Sequence, residues 1–252
     1  ATGQQIMRSV SGITALSLEL GGSCPMIVTA KADLAAAVKG ATRRSFRNAG
    51  QICIAINRIY VEQPVYDEFV SELAAAADAL VVADGIKDPD ADVGSMTIDE
   101  TFQRTLDHIA DARKRGASVV AGGDRINELA PGLFVRPTVV ADTPDDALVM
   151  SEETFGPLVG VAPFTDLDDV IARANGVPGG LAAYVYTQDT RETFALASDL
   201  DFGNVAVNNV DAGIINAPYG GRREAGFGYE HGPEGLESYL QLKHIRLHHG
   251  AR

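Results

Sequence analysis

The chain has 252 residues, of which 46% are apolar, only 6% are aromatic and none is Trp. This length and composition are typical of an Ala-, Val- and Gly-rich α/β protein with a sizeable core. The formal charge of −13 repels nucleic-acid backbones and anionic lipids, so neither is an expected partner. No apolar run reaches the roughly 20 residues of a bilayer span, and the N-terminus lacks the features of a secretory signal. Together with only two cysteines, these features favour a reducing, cytoplasmic location.

Short apolar runs alternate along the chain with longer segments of helical period, which predicts an α/β fold. The predicted strands are residues 26–29, 57–62, 118–121, 158–162, 182–186 and 204–208. The predicted helices are residues 33–47, 65–80, 100–115, 167–174 and 191–200. Asp33 precedes an Ala-rich run and is the expected N-cap of the first of these helices. Residues 3–10 are helix-like, and apolar alternation over residues 239–248 predicts a further strand outside the main core.

Cys53 lies where the helix ending near Arg47 meets a turn that contains Gly50. A thiol on such a turn is accessible to substrate, and nearby backbone N–H groups can favour the thiolate and bind an oxyanion. An isolated cysteine is more often a buried packing residue. Cys24, followed by Pro25 and an apolar run, is assigned to packing alone.

Two carboxylates are candidates for chemistry. Glu19 stands between two leucines and before two glycines, so it is either a solvent-facing residue or a general base with a raised pKa in a semi-apolar site. Glu153 lies in an acidic turn that continues into Phe155. That turn is either a simple strand connection or a carboxylate for ribose hydroxyls beside an aromatic ring.

Several other site classes are excluded by the sequence. The five histidines do not have zinc-ligand spacing with the two cysteines, so we expect no metal site. Walker loops, nucleophile elbows and a G-x-G-x-x-G fingerprint after a strand are all missing from the sequence. An oxidoreductase of this sequence would therefore bind a dinucleotide differently or lack part of its cofactor domain.

Four motifs in register resemble the aldehyde dehydrogenase superfamily. They are LELGG (residues 18–22), FRNAGQIC (46–53), EETFGP (152–157) and PYGG (218–221). Each motif is modest alone, but their order and spacing together are highly specific. The resemblance runs from about residue 3 to residue 247, and it implies an open, twisted, mostly parallel sheet flanked by helices.

The resemblance implies a role for each matching residue. Cys53 matches the nucleophile and Glu19 the general base. Gly21 matches a glycine that lets the backbone approach the nicotinamide of NAD or NADP, Glu153 the ribose-binding carboxylate, and Phe155 the aromatic at the nicotinamide. The implied reaction passes through a thiohemiacetal and a thioester on Cys53, with hydride transfer to NAD(P)+ between them, and Glu19 activates the hydrolytic water.

The resemblance also implies a division of the chain. Residues 1–21 match a remnant of the dinucleotide-binding domain, residues 22–225 the catalytic domain, and residues 226–252 a C-terminal tail with an oligomerisation strand. Most of the cofactor domain is not represented. The chain is thus expected to be a catalytic half that is inactive alone, with the N-terminal cofactor domain and other copies of itself as partners in a dimer or tetramer.

Succinate-semialdehyde dehydrogenase-like members are the most similar subfamily. Arg47 stands where they place a carboxylate-binding arginine, and Asn48 adjoins it as a second expected substrate residue. Ala55 and Gly213 depart from that pattern, because those enzymes often have a second cysteine and a substrate-binding serine there. A surface role for Arg47 at a helix end stays open.

Two alternatives to hydrolytic aldehyde oxidation stay open. The first is a CoA-acylating member of the same superfamily, since the cysteine chemistry is shared, although Glu19 favours hydrolysis. The second is a catalytically silent oligomerisation or interaction fragment.

Overall fold

Helices and strands alternate through residues 2–250, the part of the chain that the computed structural model describes. The helices are α1 (Thr2–Ser9), α2 (Leu34–Phe46), α3 (Tyr66–Asp78), α4 (Asp99–Lys114), α5 (Leu148–Ser151), α6 (Leu167–Asn175), α7 (Thr190–Asp199) and α8 (Gly232–Glu237). The strands are β1 (Leu18–Glu19), β2 (Cys24–Val28), β3 (Ile56–Glu62), β4 (Ser118–Ala121), β5 (Thr138–Ala141), β6 (Leu158–Phe164), β7 (Gly179–Gly180), β8 (Ala182–Tyr186), β9 (Asn204–Val207), β10 (Arg222–Arg223) and β11 (Gly226–Phe227).

A seven-stranded sheet in the order β4-β5-β6-β3-β2-β8-β9 forms the centre of the fold. Only the edge pair β4–β5 is antiparallel, and the other neighbours are parallel. All five residues of β2 and all five of β8 are buried, as expected for central strands covered on both faces. The α/β fold class and the mostly parallel sheet are therefore confirmed.

The predicted elements agree closely with the observed ones where the strand is central or the helix is capped. The strands at residues 118–121 and 182–186 have the predicted bounds. Asp33 is the N-cap of α2, because its side chain accepts a hydrogen bond of 3.0 Å from the Ala36 N–H. Strand β5 was not predicted, and its length does not explain this, because the equally short β4 was predicted.

The predicted strand at residues 239–248 is wrong for this chain in isolation. No strand is assigned within residues 238–250, and the apolar side chains of the segment are exposed. A strand needs a neighbour for its backbone N–H and C=O groups, and residues 2–250 supply none there. Pairing of the segment with another subunit stays a prediction.

Adjacent parallel strands bring three of the sequence motifs to one edge of the sheet. Residues 21–23 precede β2, Cys53 precedes β3, and residues 152–157 precede β6. Because β6, β3 and β2 are parallel neighbours, their amino ends lie together. The site therefore forms at the amino edge of this sheet, whereas open α/β sheets commonly bind ligands at the carboxyl edge.

A buried arginine fixes one of these segments. Arg58 on β3 is 1% exposed, and its guanidinium donates hydrogen bonds to the carbonyl oxygens of Ser23, Arg173 and Ala174. Two of these carbonyls belong to the last turn of α6, where helix carbonyls have no partner within the helix. Burial lowers the pKa of Arg58. Arg58 thus ties the end of α6 to the segment that enters β2.

Candidate active site

The loop before Cys53 has a backbone that few residues adopt. Asn48, Ala49 and Gly50 follow the end of α2 with φ angles of 55°, 54° and 69°. Three consecutive left-handed residues turn the chain sharply, and each non-glycine residue there costs about 1 kcal/mol. Ala49 is nevertheless buried in the core, so packing holds the turn in this form.

Side-chain hydrogen bonds hold the same loop. Asn48 Nδ2 donates to the Gln51 carbonyl at 3.0 Å, and Gln51 Nε2 donates to the Asn48 carbonyl at 2.9 Å. Gln51 Oε1 accepts from the backbone N–H and the hydroxyl of Thr97, which precedes α4. The position of Cys53 is thus set by contacts on both sides of the loop.

Gly50 brings the Cys53 loop against the EETFGP segment. A Cβ at Gly50 would overlap the carbonyl oxygen of Gly156, and its φ is also in the left-handed region. Both features require glycine at this position. The loop that carries the candidate nucleophile and the segment that carries Glu153 are therefore in direct backbone contact.

The Cys53 side chain is half-buried, and its sulfur lies 3.6 Å from the Tyr219 hydroxyl. Within residues 2–250 the Cys53 backbone N–H makes no hydrogen bond, so it can donate to an oxyanion. Cys24 differs, because it is fully buried and its thiol donates to the Cys53 carbonyl at 3.6 Å. Burial raises the pKa of Cys24 to about 12, which suits the packing role expected from the sequence.

Glu19 lies outside the main sheet. It lies on β1, which pairs with β11 through Glu19 and Gly226. Partial removal from water raises the pKa of Glu19, the charge of Glu230 raises it further, and His231 lowers it. The Glu19 charge also raises the pKa of Tyr219. Glu19 therefore lies within electrostatic range of the phenol that contacts Cys53.

Gly21 and Glu153 meet in a cleft of about 270 Å³ that also includes Pro178 and Glu224 in its lining. The Glu153 carboxylate accepts a hydrogen bond from the Gly22 N–H, yet burial raises its pKa. Its Oε1 atom is buried and has no hydrogen-bond partner within residues 2–250. A Cβ at Gly21 would overlap that carboxylate. An acceptor of this kind suits a ligand hydroxyl, and ribose binding at this cleft stays a prediction.

Helix α4 supports the segment around Phe155. Phe155 is half-buried and has a φ of 56°. On one side of it, the Thr154 hydroxyl lies 3.0 Å from His108 Nδ1, and the pKa of the buried His108 is lowered by its burial. On the other side, Gly156 packs so tightly on Thr105 that a Cβ would overlap the Thr105 hydroxyl.

The structure supports Arg47 and Asn48 less well than the other predicted site residues as neighbours of the Cys53 sulfur. The Arg47 side chain is exposed and lines a cavity of about 700 Å³ between α2 and α3, together with Lys39 and Arg43. Cys53 is not part of that lining. The Asn48 side-chain amide donates its hydrogen bond within the loop, to the Gln51 carbonyl. Their binding of substrate stays a prediction.

Tyr219 and His231 are site residues that the sequence reasoning missed. Tyr219 is 7% exposed, and its ring centroid lies 5.8 Å from that of His231. The available signal was the PYGG motif, which indicates the family but gives no role to its tyrosine. No local pattern indicated His231.

Two classes of feature are missing from the described part of the chain. No helix within residues 2–250 has the length and apolar character needed to cross a membrane. In the same residues, no cluster of three or more His, Cys, Asp or Glu side chains could hold a metal ion.

Comparison with known proteins identifies a family for the chain. The Aldehyde dehydrogenase family profile matches residues 1–245. The succinate-semialdehyde dehydrogenase (NADP(+)) GabD of Escherichia coli (strain K12) is 42% identical over 247 residues, covering 96% of this chain and 50% of that protein. A glutarate-semialdehyde dehydrogenase of Pseudomonas aeruginosa is 41% identical over 249 residues, covering 97% of this chain and 50% of that protein.

Solved structures give the same result. The crystal structure of an NADP-dependent enzyme of Escherichia coli superimposes with a TM-score of 0.92 at 41% identity, covering 96% of this chain and 50% of that chain. This chain spans about half the length of the relatives that it matches. The family profile covers nearly all of its residues, and the chain therefore belongs to the aldehyde dehydrogenase family.

Proposed function

We propose that this chain supplies the catalytic cysteine and the hydrolytic base of an NAD(P)-dependent aldehyde dehydrogenase. The observation that carries the proposal is the surroundings of Cys53. A half-buried thiol stands after a strained, tightly held turn, with an unused N–H on its own backbone. The charge of Glu19 acts on Tyr219, whose hydroxyl contacts the same sulfur. A packing cysteine requires none of these features.

Cys53 begins the reaction as the nucleophile. Its thiolate forms a bond to the aldehyde carbon, and the carbonyl electron pair moves to oxygen, which the Cys53 N–H stabilises. The resulting thiohemiacetal is oxidised to a thioester. When bound, NAD(P)+ supplies the oxidising power by accepting the hydride.

Gly21, Glu153 and Phe155 are the residues of this chain proposed to hold the cofactor. The buried Glu153 carboxylate has one oxygen without a partner within residues 2–250, and a ribose hydroxyl would donate to it. Gly21 lets that carboxylate pack directly against its backbone, because a Cβ there would overlap both carboxylate oxygens. Phe155, two residues after Glu153, is the proposed aromatic residue at the nicotinamide.

Glu19 completes the reaction as the base. Its carboxylate takes a proton from water, the water oxygen forms a bond to the thioester carbon, and the carbon–sulfur bond breaks to release a carboxylic acid and the Cys53 thiolate. The raised pKa of Glu19 makes it a stronger base than an ordinary surface carboxylate. A base of this kind favours hydrolysis over acyl transfer to CoA, which does not need one.

The substrate class follows from the relatives. Several are named for semialdehydes, including succinate semialdehyde and glutarate semialdehyde. We propose a semialdehyde with a distal carboxylate as substrate, with Arg47 and Asn48 as its binding residues. In the structure, the Arg47 side chain lies along the α2–α3 cavity, so it would have to turn toward Cys53.

The chain corresponds to half of each relative's length. We therefore propose that it oxidises aldehydes only in combination with the other half of the family fold, which would complete the cofactor site. The exposed apolar segment at residues 239–248 is the proposed contact between subunits.

The experiment follows NAD(P)H formation with succinate semialdehyde, for the chain alone and with the N-terminal half of a relative added. Activity is expected only on addition, and it is expected to disappear in Cys53→Ala. Cys24→Ala is the matched control, because it removes a buried packing thiol and should keep activity. Equal activity of Cys53→Ala and the parent chain would refute the proposed function, and activity of the unaided chain would refute its incompleteness.

A further inference from the structure

Within residues 2–250, Tyr219 is the one polar side chain in hydrogen-bonding contact with the Cys53 sulfur. The two residues are 166 positions apart, and the phenolic oxygen lies 3.6 Å from Sγ. The tyrosine ring is 7% exposed, so water competes weakly for its hydroxyl. None of the reaction steps proposed above involves this hydroxyl.

The Tyr219 ring is held from several directions. Its backbone N–H donates to the Glu230 carbonyl at 2.8 Å, and the Glu230 N–H donates back to the Tyr219 carbonyl at 2.7 Å. Gly213 lies so close to one ring edge that a Cβ there would stand 3.2 Å from Cδ2. His231 packs on the ring at 5.8 Å between centroids. The hydroxyl is therefore fixed in one position, and that position faces Cys53.

Acid–base properties give the hydrogen bond a direction. Burial raises the pKa of the Tyr219 phenol, and the hydrogen bond to Cys53 and the charges of Cys53, Cys24 and Glu19 raise it further. A thiol ordinarily loses its proton before a phenol does. Once Cys53 is ionised, the O–H of Tyr219 is the donor and the sulfur is the acceptor.

We propose that Tyr219 is a catalytic residue of this site, whose hydroxyl donates a hydrogen bond to the Cys53 sulfur, positions it and stabilises the thiolate. This inference rests on the proposed role of Cys53 as the nucleophile. A hydrogen bond to an ionised acceptor is stronger than one between neutral groups. The hydroxyl therefore favours the sulfur as an anion both before attack on the aldehyde and when the thioester breaks.

Other ionisable groups lie near the Tyr219–Cys53 pair. Cys24 and Tyr184 lie close enough to Cys53 for their charges to interact, and both are buried. His231 packs against the Tyr219 ring, and the charge of Glu19 acts on the Tyr219 phenol. None of these groups changes in a Tyr219→Phe variant, which removes one oxygen atom and keeps the ring.

The test is the rate of alkylation of Cys53 by iodoacetamide across a pH series, which requires neither cofactor nor turnover. In Tyr219→Phe the rate near neutral pH is expected to fall about tenfold, and the midpoint of the pH profile is expected to move to higher pH. At alkaline pH the two rates should converge. Tyr229→Phe is the matched control, because it removes an exposed hydroxyl from a neighbouring position and should leave the profile unchanged.

Each outcome decides a different point. An unchanged midpoint in Tyr219→Phe would overturn the inference, and so would a rate change of equal size at every pH, which indicates a merely structural effect. A Cys53→Ala chain establishes which part of the alkylation belongs to Cys53. If the parent chain never oxidises an aldehyde with its other half but the midpoint moves, the proposed function fails and the thiolate role of Tyr219 stands. If oxidation occurs and the midpoint is fixed, only the role of Tyr219 fails.

Discussion

Gly50→Ala is predicted to destabilise the fold through the Cys53 loop. The left-handed φ of 69° costs an alanine about 1 kcal/mol. The new Cβ would also stand well inside 3.0 Å of the Gly156 carbonyl, where two backbone segments must move apart, and overpacking of this kind costs about 1–3 kcal/mol. The free energy of unfolding should therefore fall by about 2–4 kcal/mol.

Two further glycines separate the two effects. Gly116 has a φ of 91° but open space around its Cβ position, so Gly116→Ala should lose only the conformational contribution of about 1 kcal/mol. Gly94 has open space and no left-handed φ, so Gly94→Ala should stay within about 1 kcal/mol of the parent. Urea unfolding of the three variants measures these free energies. A loss in Gly50→Ala no larger than in Gly116→Ala would refute the claim that the Cys53 loop is locked against Gly156.

Three other substitutions, with Arg222→Ala as a control, test the charged residues of the site and of its support. Because burial raises the pKa of Glu19, the base loses its function as pH falls through that raised pKa. The acid limb of the pH–rate profile of deacylation should therefore lie above about pH 4.3, the ordinary glutamate value. Glu19→Gln should abolish that limb while sparing acylation. If the acid limb is unchanged in Glu19→Gln, it belongs to another titrating group. For Glu153 the raised pKa means that the folded chain binds the proton more tightly than the unfolded chain. The stabilisation is complete below the unfolded pKa and is lost as pH rises through the folded one. Glu153→Gln should therefore raise the urea midpoint at neutral pH and remove this slope, and an unchanged slope would contradict the assignment. Arg58→Met leaves three carbonyls without their donor and should cost about 3 kcal/mol or more. The exposed Arg222, paired with Asp201 at 3.1 Å, should lose less than about 1 kcal/mol as Arg222→Ala, and equal losses would refute the anchoring role of Arg58.

Central elements could be predicted from the sequence because their signals are local. Strand β8 is buried at every position, so its apolar run is continuous and its bounds are correct. The cap at Asp33 depends on residues three positions apart. The strand predicted at residues 239–248 failed for a related reason, since alternation indicates a strand only where a partner exists to accept its hydrogen bonds.

The site was predictable only in part. The motifs that carry Cys53 and Glu153 could be assigned from their resemblance to a family, but the contact between their loops depends on the parallel pairing of β3 with β6. The Tyr219–Cys53 contact spans 166 positions and has no periodic signal. Arg58 looks like any charged residue in a strand, and its role appears only once α6 has packed beside it.

The amino edge of the sheet explains why the site needs so much support. Strand hydrogen bonds hold the loops at this edge only in part, as between Thr138 and Pro157, so side chains and close backbone contacts hold them as well. Gln51 fixes the Cys53 loop to the segment before α4, and the same helix reaches the EETFGP segment through the His108–Thr154 contact. A ligand that moved Glu153 would therefore act on Cys53 through two routes, the Gly50–Gly156 contact and α4. Because Glu153 keeps a buried oxygen without a partner within residues 2–250, we expect a donor hydroxyl bound at that atom to stabilise both loops together.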